Sequence, residues 1–318
     1  MQNHGGRIND HVGAQQGVSN IEVPVASGKV HQLWWQQQFL DDKVSVLGGL
    51  YDLNSEFYVT DSSGVFIHPS FGIGTDIAQT GENGPAIFPN SALGLRLRTD
   101  LADLFYAQAV ILDGVAGNPN RPKGTHIRIN GDEGALVVAE LGLQRIEDDK
   151  VTTKFGVGVW QYSKEVDDQS DVDANGDPVK RTNDGIYALV EQQLFKHKDG
   201  RRLMGFARYG TANKDVNAIK DNLVAGLTYE GPLASRPDDV IGLGVSRISF
   251  GQKARDVALA SGTDPVIKSE TAYDLTYQAK LTEWLNVQPE VQYVRTVSNP
   301  ARDKDVIVGI RFEVALSW

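Results

Sequence analysis

At the carboxyl end of this 318-residue chain, Val306, Val308, Ile310, Phe312, Val314, Leu316 and Trp318 put an apolar side chain at every second position. Arg311, Glu313 and Ser317 fall between them. Successive side chains of an extended backbone point to opposite faces, so this period predicts a strand with one oily and one polar face. The segment before it alternates in the same way, with Leu285, Val287, Pro289, Val291 and Tyr293 against Asn286, Gln288, Glu290 and Gln292. So does the one before that, where Tyr273, Leu275, Tyr277, Ala279 and Leu281 oppose Asp274, Thr276, Gln278 and Lys280. Proline breaks a central ladder, so Pro289 is expected at a bulge.

Weaker alternation recurs upstream, at Leu93, Leu95 and Leu97 against Arg96 and Arg98, and at Leu223, Ala225, Leu227 and Tyr229. Further strands are predicted over 29–39, 43–53, 103–113, 134–146, 151–162, 184–196, 201–211 and 239–250, about thirteen in all. Very short connections, near 40–42, 100–102, 147–150, 197–200 and 281–283, alternate with long polar ones over 54–90, 114–133, 163–183 and 251–267. A soluble sandwich gives no reason for that alternation. A membrane-spanning antiparallel β-barrel does, with short periplasmic turns, long external loops and every backbone group paired. The apolar face then meets lipid and the polar face lines a wet lumen. No run of about 18 apolar residues exists, which excludes a membrane-spanning helix.

Composition narrows the function. With 31 basic and 41 acidic side chains the net charge is -10, the wrong sign for a nucleic-acid partner. The absence of cysteine excludes thiolate metal sites, disulfides and a cysteine nucleophile. The start, MQNHGGRIND, lacks the charged and apolar regions of a signal peptide. If Trp318 ends on the periplasmic side, alternating turns make strand 29–39 run inward and residues 1–28 an external loop remnant. About thirteen strands with an outside start break the even-number rule, so a chain truncated by roughly three strands and its signal peptide is expected. Residues 29–318 form a single barrel domain in this reading.

The stretch 49–74, GLYDLNSEFYVTDSSGVFIHPSFGIG, and 84–98, GPAIFPNSALGLRLR, resemble the carbohydrate-selective porin family of the OprB type. HGGRINDHVGAQQGVSNIE near the start, WWQQQF at 34–39 and the ending RFEVALSW are similar too. The resemblance implies a barrel of sixteen strands in the bacterial outer membrane, placed there by the barrel assembly machinery and surrounded by outer-membrane lipids. It implies passive diffusion of sugars through a water-filled pore narrowed by an inward-folding external loop, with arginines and acids at the constriction. By position that loop is 54–90. The pore-lining candidates are Arg96, Arg98, Asp52, Glu56, Trp34, Gln36, Tyr106, Glu140, Trp160, Glu290 and Arg311. For Arg96 and Arg98 the alternative is a wall arginine paired to acids with no solute contact. For Trp34, Tyr106 and Trp160 it is an interfacial girdle; Tyr293, Phe312 and Trp318 are assigned to that girdle or to lipid. A homo-oligomer stays open, as do a non-conducting surface-binding or structural barrel and an inactive fragment.

Two further signals concern ligands and catalysis. Residues 171–177, DVDANGD, set Asp171, Asp173, Asn175 and Asp177 around Gly176 like the opening of a calcium loop, but Thr182 stands where the bidentate glutamate belongs. A solvated external loop is the competing reading, and Ca²⁺ is the one cofactor that the sequence suggests. None of the six histidines has a metal-binding spacing, and no catalytic motif is present, so no chemistry is expected.

Overall fold

A computed structural model describes residues 1–127, 131–263, 266–299 and 302–315. Leu316 and Trp318 lie outside the described residues. The chain forms one antiparallel sheet of 13 strands in unbroken sequence order. We label them β1 Leu33–Phe39, β2 Val44–Tyr51, β3 Ala92–Asp100, β4 Phe105–Asp113, β5 Ala135–Glu147, β6 Lys150–Tyr162 and β7 Asp184–Lys196. The rest are β8 Arg202–Ala212, β9 Ile219–Glu230, β10 Val240–Phe250, β11 Ser269–Thr282, β12 Leu285–Asn299 and β13 Arg302–Val314. Among the described residues β1 and β13 are each paired on one side.

Turns follow the expected alternation of lengths over most of the sheet, but not at β8–β9, whose link 213–218 is shorter than the link 231–239 at the opposite end. Asp148 and Asp149, both at positive φ (53° and 59°), make the two-residue link between β5 and β6. Such a backbone twists in the same sense as the strands that it joins. At the opposite end the chain spends 52–91 between β2 and β3, and 163–183 between β6 and β7. The latter carries a small hairpin, Val166–Val172 with Pro178–Arg181.

Burial is inverted relative to a water-soluble protein. On β13 Val308 is 75% exposed, while the neighbouring strand buries Gln292 completely. Along β9 Leu223 and Leu227 are exposed, and Asn222, Val224 and Thr228 are buried. Apolar side chains on the open face and amides or charges on the closed one suit a sheet whose outside is hydrocarbon. Pro289 corrects the expectation of a bulge. Pairing of β11 with β12 keeps one register from Thr271↔Arg295 to Lys280↔Asn286, and only the pairs opposite Pro289 and Gln288 drop out. The missing N–H is absorbed as a gap in the ladder, and Pro289 stays in register with Ile310 of β13.

At the long-loop end, charge ties three connections together. Lys253, on the helix Gln252–Ala260, lies 2.7 Å from Asp168, 2.8 Å from Asp171 and 3.2 Å from Asp215. Arg181 joins the same three acids. Burial opposes ionisation of Asp168, but hydrogen bonds from Lys253, the Asp171 and Ser170 amides and Arg181 outweigh it and hold its carboxyl below the usual range. A carboxylate with a depressed folded pKa stabilises above its unfolded value, 3.8, and loses that contribution as pH falls further. Protection factors of the 252–260 amides, which take out the pH dependence of intrinsic exchange, should therefore be high at pH 7 and decline as pH falls below 3.8 toward the lower folded value. Lys253→Ala should lower them throughout; equal protection factors in parent and variant would show that the cluster holds nothing.

Candidate functional site

The inner face of the sheet is occupied by the 52–91 connection. Its apolar residues fix where it packs: Phe57, Tyr58, Ile73 and Ile77 join Val138, Trp160, Tyr187 and Leu189 of the wall in one buried cluster. Phe66 and Phe71 join Phe206 and Val224 in a second. Tyr58 stacks on Tyr187 with ring centroids 4.0 Å apart. Glycine makes room where the loop presses closest: a Cβ at Gly244 would lie 2.4 Å from the Phe71 ring, and one at Gly210 would lie 2.2 Å from the Asp76 carboxylate. Strands spread across the sheet from β3 to β12 reach this one loop, so the sheet must curl around it.

The wall holds the loop mainly by its backbone. Arg208 of β8 donates to four carbonyls: Tyr58 (2.9 Å), Gly72 (2.8 Å), Ser70 (2.8 Å) and Phe71 (2.6 Å). A planar guanidinium, with donors fixed in a fork, suits such a cluster of oxygens. Asp76 and Glu191 are the acids near enough to act on its charge. Glu191 accepts from the amides of Asp61 and Ser62, and Asp274 accepts from the His68 amide. Lys154 donates to the Val59 carbonyl, Gln288 to that of Val65, and Asn222 accepts from the Thr75 amide. Each of these ends one of the buried backbone groups that a loop carries into an interior, where leaving it unpaired would be costly.

The candidates sort into groups. Arg96, Gln36 and Glu56 come together: Arg96 makes paired contacts to Glu56 at 2.8 and 2.9 Å, reaches Gln36 at 2.7 Å and also bonds Ser45. Tyr51 donates to the same Glu56 carboxylate. Arg98 lies beside Gln108 at 3.2 Å and over the Tyr106 ring. Glu140 and Tyr106 face inward as expected but under the loop, not along an open path. Glu140 accepts from Tyr58 N, Tyr106 Oη, Gln108 Nε2 and Tyr187 Oη, and is 1% exposed. Trp160 is covered in the same way. Asp52 meets His31 at 2.9 Å, Glu290 accepts from Gln292, and Arg311 reaches Asn20 at 3.5 Å. Trp34 is about half exposed on edge strand β1, with its indole N–H on Gln32. Phe312 is exposed on the outward face.

The DVDANGD residues do not gather as a ligand set. Asp173 caps its own turn, accepting from the Asn175 and Asp177 amides, while Asp171 points at Lys253 and Arg181. Alternation puts Asp274 on the polar face but does not single it out, and it leaves Arg208, Glu191 and Glu270 unmarked. Each is a charge at an inward position of a strand, and that signal was available.

A family described as carbohydrate-selective porin, OprB family, matches residues 1–316. The chain belongs to the OprB family of porins. Among curated relatives, Porin B of Pseudomonas aeruginosa is 25% identical over 335 residues, covering 96% of this chain and 73% of that protein. A protein called putative porin QuiX, from Acinetobacter baylyi, is 27% identical over 157 residues, covering 43% of this chain and 35% of its own. The high-pH structure of Pseudomonas putida OprB matches with a TM-score of 0.74 at 21% identity, over 89% of this chain and 72% of that one. The low-pH structure matches with a TM-score of 0.53 at 19% identity, over 89% and 66%. These likenesses carry the fold. As an OprB-family member this chain is an outer-membrane β-barrel of the porin type.

Proposed function

We propose that the chain conducts carbohydrates passively through its polar interior, down their concentration gradient. One observation carries this reading: the sheet turns its amides and charges inward around a loop that narrows the interior, and its apolar residues outward. Sugar hydroxyls exchange water for amide and guanidinium groups at small net cost, so such a lining passes them without tight binding. Arg96 with Glu56 forms the charged rim on the β1–β3 side, and the wall clamps set the width. Selectivity then comes from pore diameter and lining.

The test is swelling of proteoliposomes in isosmotic sugars. Monosaccharides should swell them fastest and disaccharides more slowly. Folded protein that gives no more swelling than protein-free vesicles in every sugar would overturn conduction, and would favour a structural or surface-binding barrel.

A further inference from the structure

Beneath the loop one carboxyl is enclosed without a countercharge. Asp76 belongs to the single turn Thr75–Ala78 of the 52–91 connection, which packs on β8 and β9, and it is 1% exposed. Backbone lies against both of its carboxyl oxygens. A Cβ at Gly74 would lie 2.2 Å from Oδ1, and one at Gly210 of β8 would lie 2.2 Å from Oδ2. Tyr58 Oη donates to Oδ1 at 3.3 Å, and Oδ2 has no partner. The groups that face Asp76 do not neutralise it. Arg208 of β8 is near enough to act on its charge. Yet the Nη1 and Nη2 donors of Arg208 end on the four loop carbonyls, and its Nε meets no acceptor. Asp221 of β9 adds a like charge and is paired with Lys220 at 3.3 Å. Asn222 of β9 accepts from the Thr75 amide and donates to Ser246. An ionised carboxylate in this position has lost its water without gaining a full set of donors, which is costly in an interior. Burial accordingly raises the Asp76 carboxyl from 3.8 to about 7, against the opposing pull of its own amide, Tyr58 and Arg208.

We propose that Asp76 is a proton-binding site that sets how firmly the loop is held: with the proton on, the turn stays seated on β8 and β9, and with it off the turn comes away. A carboxyl raised in the folded state penalises folding above its unfolded value, 3.8. The penalty grows with pH and is complete above about 7. The turn is therefore seated most firmly in mild acid and least firmly in alkali, the reverse of the Lys253 cluster, whose acid is depressed. Because the loop narrows the interior, the pore is steadier at pH 5 than at pH 8. The effect on current rests on the porin reading above; the proton site does not.

Asp76→Asn and Tyr58→Phe are compared with the parent in lipid vesicles. The amides of Ile77, Ala78, Gln79 and Thr80 are hydrogen-bonded within the turn and report its seating. From pH 5 to pH 8 their protection factors should fall by about 50-fold or more in the parent relative to Asp76→Asn, as a carboxyl raised from 3.8 to about 7 requires. An infrared difference spectrum, parent minus Asp76→Asn, should show the C=O stretch of a neutral carboxyl at pH 5 and lose it by pH 9. Tyr58→Phe removes a donor that favours the ionised form, so it should move the midpoint of both changes to higher pH. A missing band at pH 5, or protection in constant ratio to that of Asp76→Asn, overturns the proposal. Should Asp76→Asn not fold, an unmoved midpoint in Tyr58→Phe overturns it. In planar bilayers the open-channel noise should rise from pH 5 to pH 8 in the parent and stay level in Asp76→Asn. A parent that does not conduct removes the porin reading and leaves the proton site to the other two readouts. A conducting parent with noise independent of pH overturns the effect on the pore.

Discussion

Replacing Arg208 by methionine lowers the stability of the folded protein by about 4 kcal/mol or more, which puts it among the severe single substitutions. Four loop carbonyls, from Tyr58, Ser70, Phe71 and Gly72, end on this guanidinium, whose side chain is 1% exposed. Methionine keeps much of the stem volume and removes every donor. Losing a buried cation offsets part of the damage, because its desolvation no longer has to be met. Asp76 and Glu191 then lose their nearby positive charge, which works the other way. Lysine rescues only in part, since one ammonium does not reproduce the fork. The readouts are the melting temperature in detergent and single-channel current. The methionine variant should melt lower and show noisier current, because the loop that narrows the pore is no longer pinned. An unchanged melting point together with unchanged current would mean that the four contacts hold nothing.

Val308→Lys costs about 2–4 kcal/mol if the residue sits at the bilayer midplane. In a water-soluble protein, a side chain 75% exposed would accept lysine with a change within about 0.5 kcal/mol. The two outcomes do not overlap, so refolding yield and urea midpoint in lipid vesicles decide between them. A midpoint equal to that of the parent would show that Val308 does not face hydrocarbon.

What the sequence disclosed and what it hid divide along one line. Alternation is local, so the outward series of β13, β12 and β11 could be read directly, and the order of strands followed from turn lengths. The approximate limits of loop 54–90 were visible too. The contacts that give the loop its position were not. Glu140 meets Tyr58 across 82 residues and Arg208 meets the Tyr58 carbonyl across 150. Nothing in local spacing encodes such pairs. That is why Glu140, Tyr106 and Trp160 could be assigned to the inner face but not placed beneath the loop. The burial of residues 12–18 was hidden for the same reason, since Gln16 finds its carboxylate partner Glu270 some 254 positions away. Pro289 differs for another reason: a missing donor predicts a bulge, whereas the ladder tolerates two absent pairs without changing register.

A nitroxide scan along β9 tests the inversion of the sheet most directly. Single cysteines at 222–228 carry the spin label in lipid vesicles, and collision with oxygen and with a water-soluble nickel chelate is measured at each. Oxygen contact should peak at Leu223, Ala225 and Leu227 and fall at Asn222, Val224, Gly226 and Thr228, repeating every second residue. A profile with the opposite phase, or strong nickel contact at Leu223 and Leu227, would mean that water bathes the apolar face, and the porin account would fail.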